Sequence, residues 1–371
     1  MKRTMLLWGA PAIWASMAQA AEPVRPQNRA QAVEIVADLR KIVTPNGIER
    51  TQKIRIGGID QWVSIRSRDR RNPVLLMLHG GPGFVAMPTS WYFARGWEEY
   101  FTVVQWDQRG AGKTYVANDP AKVGQTMTVE RMNADVDEMI EWLRREYRRD
   151  KIFVAGHSWG SLLGLSAALR HPERLHAYIG LAQGIDNHES ERRGWRFALD
   201  RAKATGNKVA VRELESIAPY GVGAAPIPVA KIMVQRKWLM RFGGVVAGRV
   251  NNDAEANAVF LSPEYTDEDV RQVWTANEFS EGKLLAKALE IDHSNVKAIK
   301  VSIILFLGRH DYNVTSGVAA EWLAKLKAPS KKLVWFEHSG HELMTEEPGK
   351  TLHALIREVR PFAERAGDVA P

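Results

Sequence analysis

Short, largely apolar runs alternate along the chain with segments of helical periodicity. Val74-Leu75-Leu76-Met77-Leu78 is the first such run, and Phe101 to Trp106, Ile152 to Ala155 and Val301 to Leu307 repeat it. A short, nearly continuous apolar run predicts a strand covered on both faces, as in a parallel sheet. Between the runs, Val129 to Arg145 places Met132, Val136, Met139, Ile140 and Leu143 on one helical face, and Ser161 to Leu169 also reads as a helix. Strand and helix in alternation predict an α/β protein: a doubly wound, mostly parallel sheet with helices on both faces. Ahead of it, Ala30 to Val43 has a period near 3.6 and is stopped by Pro45-Asn46-Gly47. Thr51 to Ile56 and Gln61 to Arg66 alternate in polarity around Gly57-Gly58, which predicts an antiparallel opening hairpin.

The alternation breaks after Tyr178 to Leu181. Residues 184–297 contain no buried strand run; they are helical in pattern, interrupted at Pro219, Pro226, Pro228 and Pro263, and rich in aromatics such as Trp195, Trp238 and Trp274. A helical insertion between two strands of a parallel sheet predicts a cap over the carboxyl ends of the strands, where open α/β sheets bind their ligands. The sheet resumes at Val301 and closes with Lys332 to Phe336, followed by a helix from Pro348 to Val359. The expected organisation is an N-terminal signal over 1–20, a linker and helix over 21–50, a core in two parts (51–183 and 298–371), and the cap over 184–297 between them.

Composition narrows the function classes. With 45% hydrophobic and 25% charged residues, the chain has the balance of a soluble globular protein. The formal charge of +8 comes from scattered residues, such as Arg66, Arg68, Arg70 and Arg71, or from Arg144 and Arg145 at a helix end, where cations complement the dipole. No basic stripe interleaved with aromatics is present, so nucleic acid is not an expected partner. The absence of cysteine excludes disulfides, thiolate catalysis and Cys-ligated metals. Lys2 and Arg3, an uncharged stretch from Thr4 to Met17 and Ala18-Gln19-Ala20 predict a cleaved secretory signal and a periplasmic or secreted protein. Cleavage takes the charge from +8 to +6. The alternative is an uncleaved membrane anchor, for which the run is short and broken by Gly9 and Pro11.

Gly156-His157-Ser158-Trp159-Gly160 gains its meaning from its setting. It follows the buried run Ile152 to Ala155 and opens the helix Ser161 to Leu169. A tight strand-to-helix turn of this kind presents a serine hydroxyl above the sheet, with small flanking residues avoiding collision. Ser158 is therefore the candidate nucleophile, and His157 beside it reads as structural. His79-Gly80-Gly81-Pro82-Gly83 follows an earlier strand, so backbone N–H groups of Gly81 and Trp159 are the candidates for an oxyanion hole. In such a sheet the acid and the base follow the serine in that order. Asp311, in Gly308-Arg309-His310-Asp311, is the candidate acid, with Glu337 as runner-up. His341, in Ser339-Gly340-His341-Glu342, is the candidate base, with His338 as its rival.

Taken together, HGGPG at 79–83, DQRGAG at 107–112, GHSWG at 156–160, GRHD at 308–311 and SGH at 339–341 resemble the prolyl iminopeptidase family of α/β-hydrolases. The resemblance covers about 300 residues, from the hairpin to the last helix. It implies serine hydrolysis through an acyl-enzyme without cofactor or metal, acting on a small molecule or short peptide. It also implies structural roles near the site for Asp107, Gln108 and Arg109. Members that cleave N-terminal proline hold the free amine with cap glutamates, one preceded by tryptophan. No Trp-Glu pair occurs in 184–297, and Glu278 is the nearest counterpart. Cleavage of a peptide or amide is the leading expectation; a carboxylesterase or lactone hydrolase with the same triad is the alternative.

Overall fold

The computed structural model describes residues 25–223 and 225–371. The expected signal segment over 1–20 lies outside them. An eight-stranded sheet has the order β1-β2-β4-β3-β5-β6-β7-β8. β1 (Ile48–Ile56) and β2 (Ile59–Ser67) form the antiparallel hairpin, turning at Gly57 and Gly58, both of which take positive φ. β2 pairs antiparallel with β4 (Thr102–Asp107). β3 (Val74–Leu78), β5 (Ile152–His157), β6 (Leu175–Leu181), β7 (Ile303–Gly308) and β8 (Lys331–Phe336) continue the sheet in parallel.

The largely apolar runs are buried because both faces of the sheet are covered. Leu76 and Leu78 of β3 point to one side. There they join Met132, Val136, Met139, Ile140 and Leu143 of the helix Val129–Tyr147, and Leu163 and Leu165 of the helix Trp159–Arg170. Leu75 and Met77 point to the other, among Phe93, Trp97, Phe153, Phe336, Leu355 and Val359. The exposed strand positions are concentrated in the two edge strands, β1 and β8.

Numbered in chain order, the principal helices are α1 (Arg29–Arg40), α2 (Val129–Tyr147), α3 (Trp159–Arg170), α4 (Asn187–Ala204), α5 (Lys208–Ser216), α6 (Val229–Arg241), α7 (Asp253–Ala258), α8 (Asp267–Leu289), α9 (Ser316–Lys325) and α10 (Pro348–Ala354). α1 stops three residues short of the expected end. The Arg40 carbonyl accepts Arg66 Nη2 at 2.6 Å, while the Arg40 guanidinium pairs with Glu98 and Glu264, so the chain leaves the helix there. The final helix also differs, passing into a π-helical turn over Leu355–Val359.

Helices α4 to α8 all lie between β6 and β7. α4, α5 and α6 pack around a small core of their own, including Ala198, Leu199, Ala202, Leu214, Tyr220, Ile232 and Trp238, whereas α8 buries Leu284 and Ala288 in the main core. No helix of the described residues is long and apolar enough to cross a membrane.

Candidate active site

Ser158 sits between the end of β5 and the start of α3 with φ 53° and ψ −116°, a conformation L-residues rarely adopt. The turn is closed by the Ser158 N–H donating to the Leu181 carbonyl at 3.1 Å. It is possible only with glycine on either side. A Cβ on Gly156 would lie 2.3 Å from the Gly160 carbonyl oxygen, and one on Gly160 would lie 2.1 Å from that of Leu78. Trp159 opens α3, so its N–H has no partner within the helix.

The loop after β3 brings Gly80 and Gly81 alongside; both line the same cavity as Ser158 and Trp159. Gly81 holds φ +108°, where a Cβ would collide with the backbone nitrogens of Gly83 and Phe84 at 2.4 Å. His79 fixes the base of this loop. Its Nδ1 lies 2.8 Å from the Gly80 carbonyl, and its Nε2 accepts from the Gln108 N–H at 3.2 Å. That pairing requires a neutral ring, and burial pushes its pKa down to about 4. Gln108 then reaches the turn, its Oε1 accepting from the Trp159 indole at 3.2 Å. Arg109 forms a buried pair with Asp135 (2.7 Å) and donates to the Gly57 carbonyl, tying the loop to the hairpin. Asp107 accepts from the Lys113 N–H and from the Tyr265 hydroxyl of the insertion.

Asp311 and His341 follow β7 and β8. The His341 Nδ1 stands 2.9 Å from Asp311 Oδ2, and Asp311 Oδ1 accepts the N–H groups of Asn313 and Val314, each at 2.9 Å. Both side chains are buried. Burial draws the His341 pKa down, but the Asp311 charge and hydrogen bond outweigh it and hold the ring above its ordinary value. The His341 N–H donates to the Val245 carbonyl at 2.6 Å, and its carbonyl accepts from His157 Nε2 at 2.9 Å. Glu346 completes the attachment by accepting from the Ala247 and Gly340 N–H groups, at 2.7 and 2.9 Å.

Ser158 and His341 line one cavity of about 340 Å³, roofed by the insertion. The rival residues lie elsewhere. His338 is exposed and faces a separate open basin of about 720 Å³, and Glu337 is exposed and paired with Arg309. Glu278 needs correction: it is exposed and does not line the cavity. The buried face of α8 runs through Ala276, Ser280, Leu284 and Ala288. At 100° per residue Glu278 points away from that face, whereas Glu281 falls in line with Leu284, Leu285 and Ala288. Glu281 does line the cavity, and burial raises its pKa.

Two further lining residues, Glu191 of α4 and Arg236 of α6, were not singled out from sequence. Glu191 is buried, pairs with Arg236 and accepts the Tyr220 hydroxyl at 2.6 Å. A signal existed: Glu191 shares the helical face of Asn187, Ser190, Gly194 and Ala198, and a carboxylate on an inward face needs a partner or a ligand. Among the described residues, one group has the ligand spacing for a metal ion: His157, His341 and Glu342.

A family model described as serine aminopeptidase, S33, matches residues 97–348. The chain belongs to the S33 serine aminopeptidase family. This S33 chain is thus a serine hydrolase with the α/β-hydrolase fold. It is 27% identical over 312 residues to the probable aminopeptidase YbaC of Bacillus subtilis (strain 168), covering 83% of this chain and 96% of that protein. With the proline iminopeptidase of Neisseria gonorrhoeae it shares 34% identity over 105 residues, 28% of this chain and 31% of that protein. Among solved structures, a proline iminopeptidase from Mycobacterium smegmatis superimposes with a TM-score of 0.59 at 16% identity, covering 85% of the S33 chain and all (100%) of the other. VinJ superimposes with a TM-score of 0.59 at 17% identity, covering 86% and 99%. At such identities these two likenesses speak for the fold alone.

Proposed function

We propose that this S33 hydrolase is an aminopeptidase that releases a small N-terminal residue, proline among them, through an acyl-enzyme on Ser158. His341 Nε2 takes the proton of the Ser158 hydroxyl as the oxygen attacks the scissile carbonyl. Asp311 holds the ring by Nδ1–H and stabilises the imidazolium. The N–H groups of Trp159 and Gly81 receive the developing oxyanion. His341 then protonates the leaving amine, and a water activated by the same nitrogen releases the acyl group.

The observation that carries the reading is the 2.9 Å His341–Asp311 contact beneath a cavity that also holds Ser158. The charge of that cavity supports an amine substrate. Three carboxylates line it, Glu191, Glu281 and Glu342, against one guanidinium, Arg236, which is already paired with Glu191. The surplus negative charge suits a substrate ammonium, and we assign Glu281, which lines the cavity, to meet it.

The apolar part of the lining, with Leu162, Ile232, Met233, Leu285 and Leu289, favours a second reading: hydrolysis of an uncharged ester or lactone by the same three residues. Proline p-nitroanilide and p-nitrophenyl butyrate assayed side by side separate the two. Turnover of the free-amine anilide is the expected result. Turnover of the ester with none of the anilide replaces the aminopeptidase reading with the second one.

A further inference from the structure

Two imidazoles in the cavity have one nitrogen each committed to a neighbour. His341 gives Nδ1–H to Asp311, and His157 Nε2 lies 2.9 Å from the His341 carbonyl oxygen. A carbonyl only accepts, so His157 carries its proton on Nε2 and keeps a lone pair on Nδ1. The neutral His341 ring likewise keeps its lone pair on Nε2. The rings are 4.9 Å apart, centroid to centroid, and both residues line the cavity.

The third member is Glu342, also on the cavity wall, whose carboxylate has no ion pair or hydrogen-bond donor among the described residues. One ligand atom from each of His157, His341 and Glu342 lies within 4.8 Å of the other two. Metal-binding histidines characteristically donate their second nitrogen to a carboxylate or a backbone carbonyl, which orients the ring and makes it more basic. His341 and His157 each have one of those two supports already in place.

We propose that His157, His341 and Glu342 form an inhibitory site for a borderline-soft divalent ion, with Zn²⁺ as the best match to two imidazoles and one carboxylate. The ion takes the His341 Nε2 lone pair, the one that otherwise accepts the Ser158 proton. Binding and catalysis are therefore mutually exclusive, with no new covalent chemistry. Glu342 closes onto the ion from a side chain that nothing else holds. The inference concerns a ligand of the site and does not depend on which substrate is cleaved.

The test uses the full chain without a histidine tag. Zn²⁺ binding is measured by calorimetry on Ser158→Ala, which keeps all three ligands, and on Glu342→Gln and Asp311→Asn in the same background. One ion per chain is expected, with affinity weakened about 10- to 100-fold in each of the other two variants. In the wild type, Zn²⁺ should slow labelling of Ser158 by a sulfonyl fluoride about tenfold or more at saturation, while Mg²⁺ at the same concentration does not, since it prefers oxygen ligands. Absence of saturable Zn²⁺ binding, equal affinity in all three variants, or equal slowing by Mg²⁺ would overturn the proposal. Circular dichroism checks that each variant is folded. If one variant fails that check, the other and the labelling rates decide.

Discussion

The carboxylate of Asp311 is shared between a ring and a turn: Oδ2 faces His341 Nδ1 at 2.9 Å, and Oδ1 accepts the backbone N–H groups of Asn313 and Val314. In the proposed triad the acid is thus itself held in place before it orients the base. Asp311→Asn should therefore cost on the order of 10⁴-fold in kcat, because an amide can turn its NH2 towards the ring and favour the wrong tautomer. Ser158→Ala should cost about 10⁴- to 10⁶-fold and leave the fold intact. Steady-state kinetics with a chromogenic amide, with circular dichroism alongside, checks both. Substantial turnover by Ser158→Ala would remove the assignment.

The pH dependence has a determined sign. The His341 pKa is raised in the folded enzyme, and the base works only when neutral. kcat/KM should fall on the acid side with an inflection above the ordinary histidine value of 6.5. Stability runs the other way. The native state holds the proton more tightly than the unfolded chain, so the contribution of the His341–Asp311 pair is complete below 6.5 and is lost as pH rises through the native value. In Asp311→Asn the inflection should move down in pH; an unmoved inflection would assign it to another group.

The tight turn makes a steric prediction. A methyl group on Gly160 has nowhere to go between α3 and the Leu78 carbonyl, 2.1 Å away. Gly160→Ala should destabilise the protein by about 2–3 kcal/mol or more, at the upper end of overpacking costs. Gly282→Ala is the control, since a Cβ there meets nothing within 4 Å. Urea denaturation of the two variants tests the contrast.

Glu281 should act on substrates that carry a free amine. Glu281→Gln is expected to raise KM for proline p-nitroanilide about tenfold, which corresponds to about 1.4 kcal/mol of lost attraction. Its effect on an uncharged ester should be small. An equal effect on both substrates would make Glu281 a packing residue.

The expected signal segment predicts a mature chain that begins at Ala21. Intact-mass measurement of protein exported by a bacterial host checks this. A mass that retains residues 1–20 would support the anchor reading instead.

Much of the core was legible because its signals are local. A strand apolar at all five positions, such as Val74–Leu78, can only be buried on both faces, and a Gly-x-Ser-x-Gly turn after such a strand points to one kind of geometry. The same logic singled out Ser158, His341 and Asp311 as candidates, each of which lies past the end of a strand. The cavity wall was not legible in the same way. Whether Glu278 or Glu281 faces inward depends on how α8 is rotated against the sheet, and α8 carries polar residues around much of its circumference. Arg236 and Glu191 belong to helices α6 and α4 and meet only when the insertion folds, 45 residues apart in sequence.

The attachment of the insertion to the histidine loop has a mechanical implication. The Val245 carbonyl accepts the His341 N–H, the Ala247 N–H donates to the Glu346 carboxylate, and Gly340 lies so close that a Cβ would sit 2.3 Å from the Val245 oxygen. The stretch 243–248 thus behaves as a hinge pin shared by roof and base. On the proposed mechanism, exchanging lining side chains such as Ile232, Met233 and Leu289 should redraw substrate preference without moving His341. Grafting a whole foreign roof would misalign the imidazole unless the pin travelled with it.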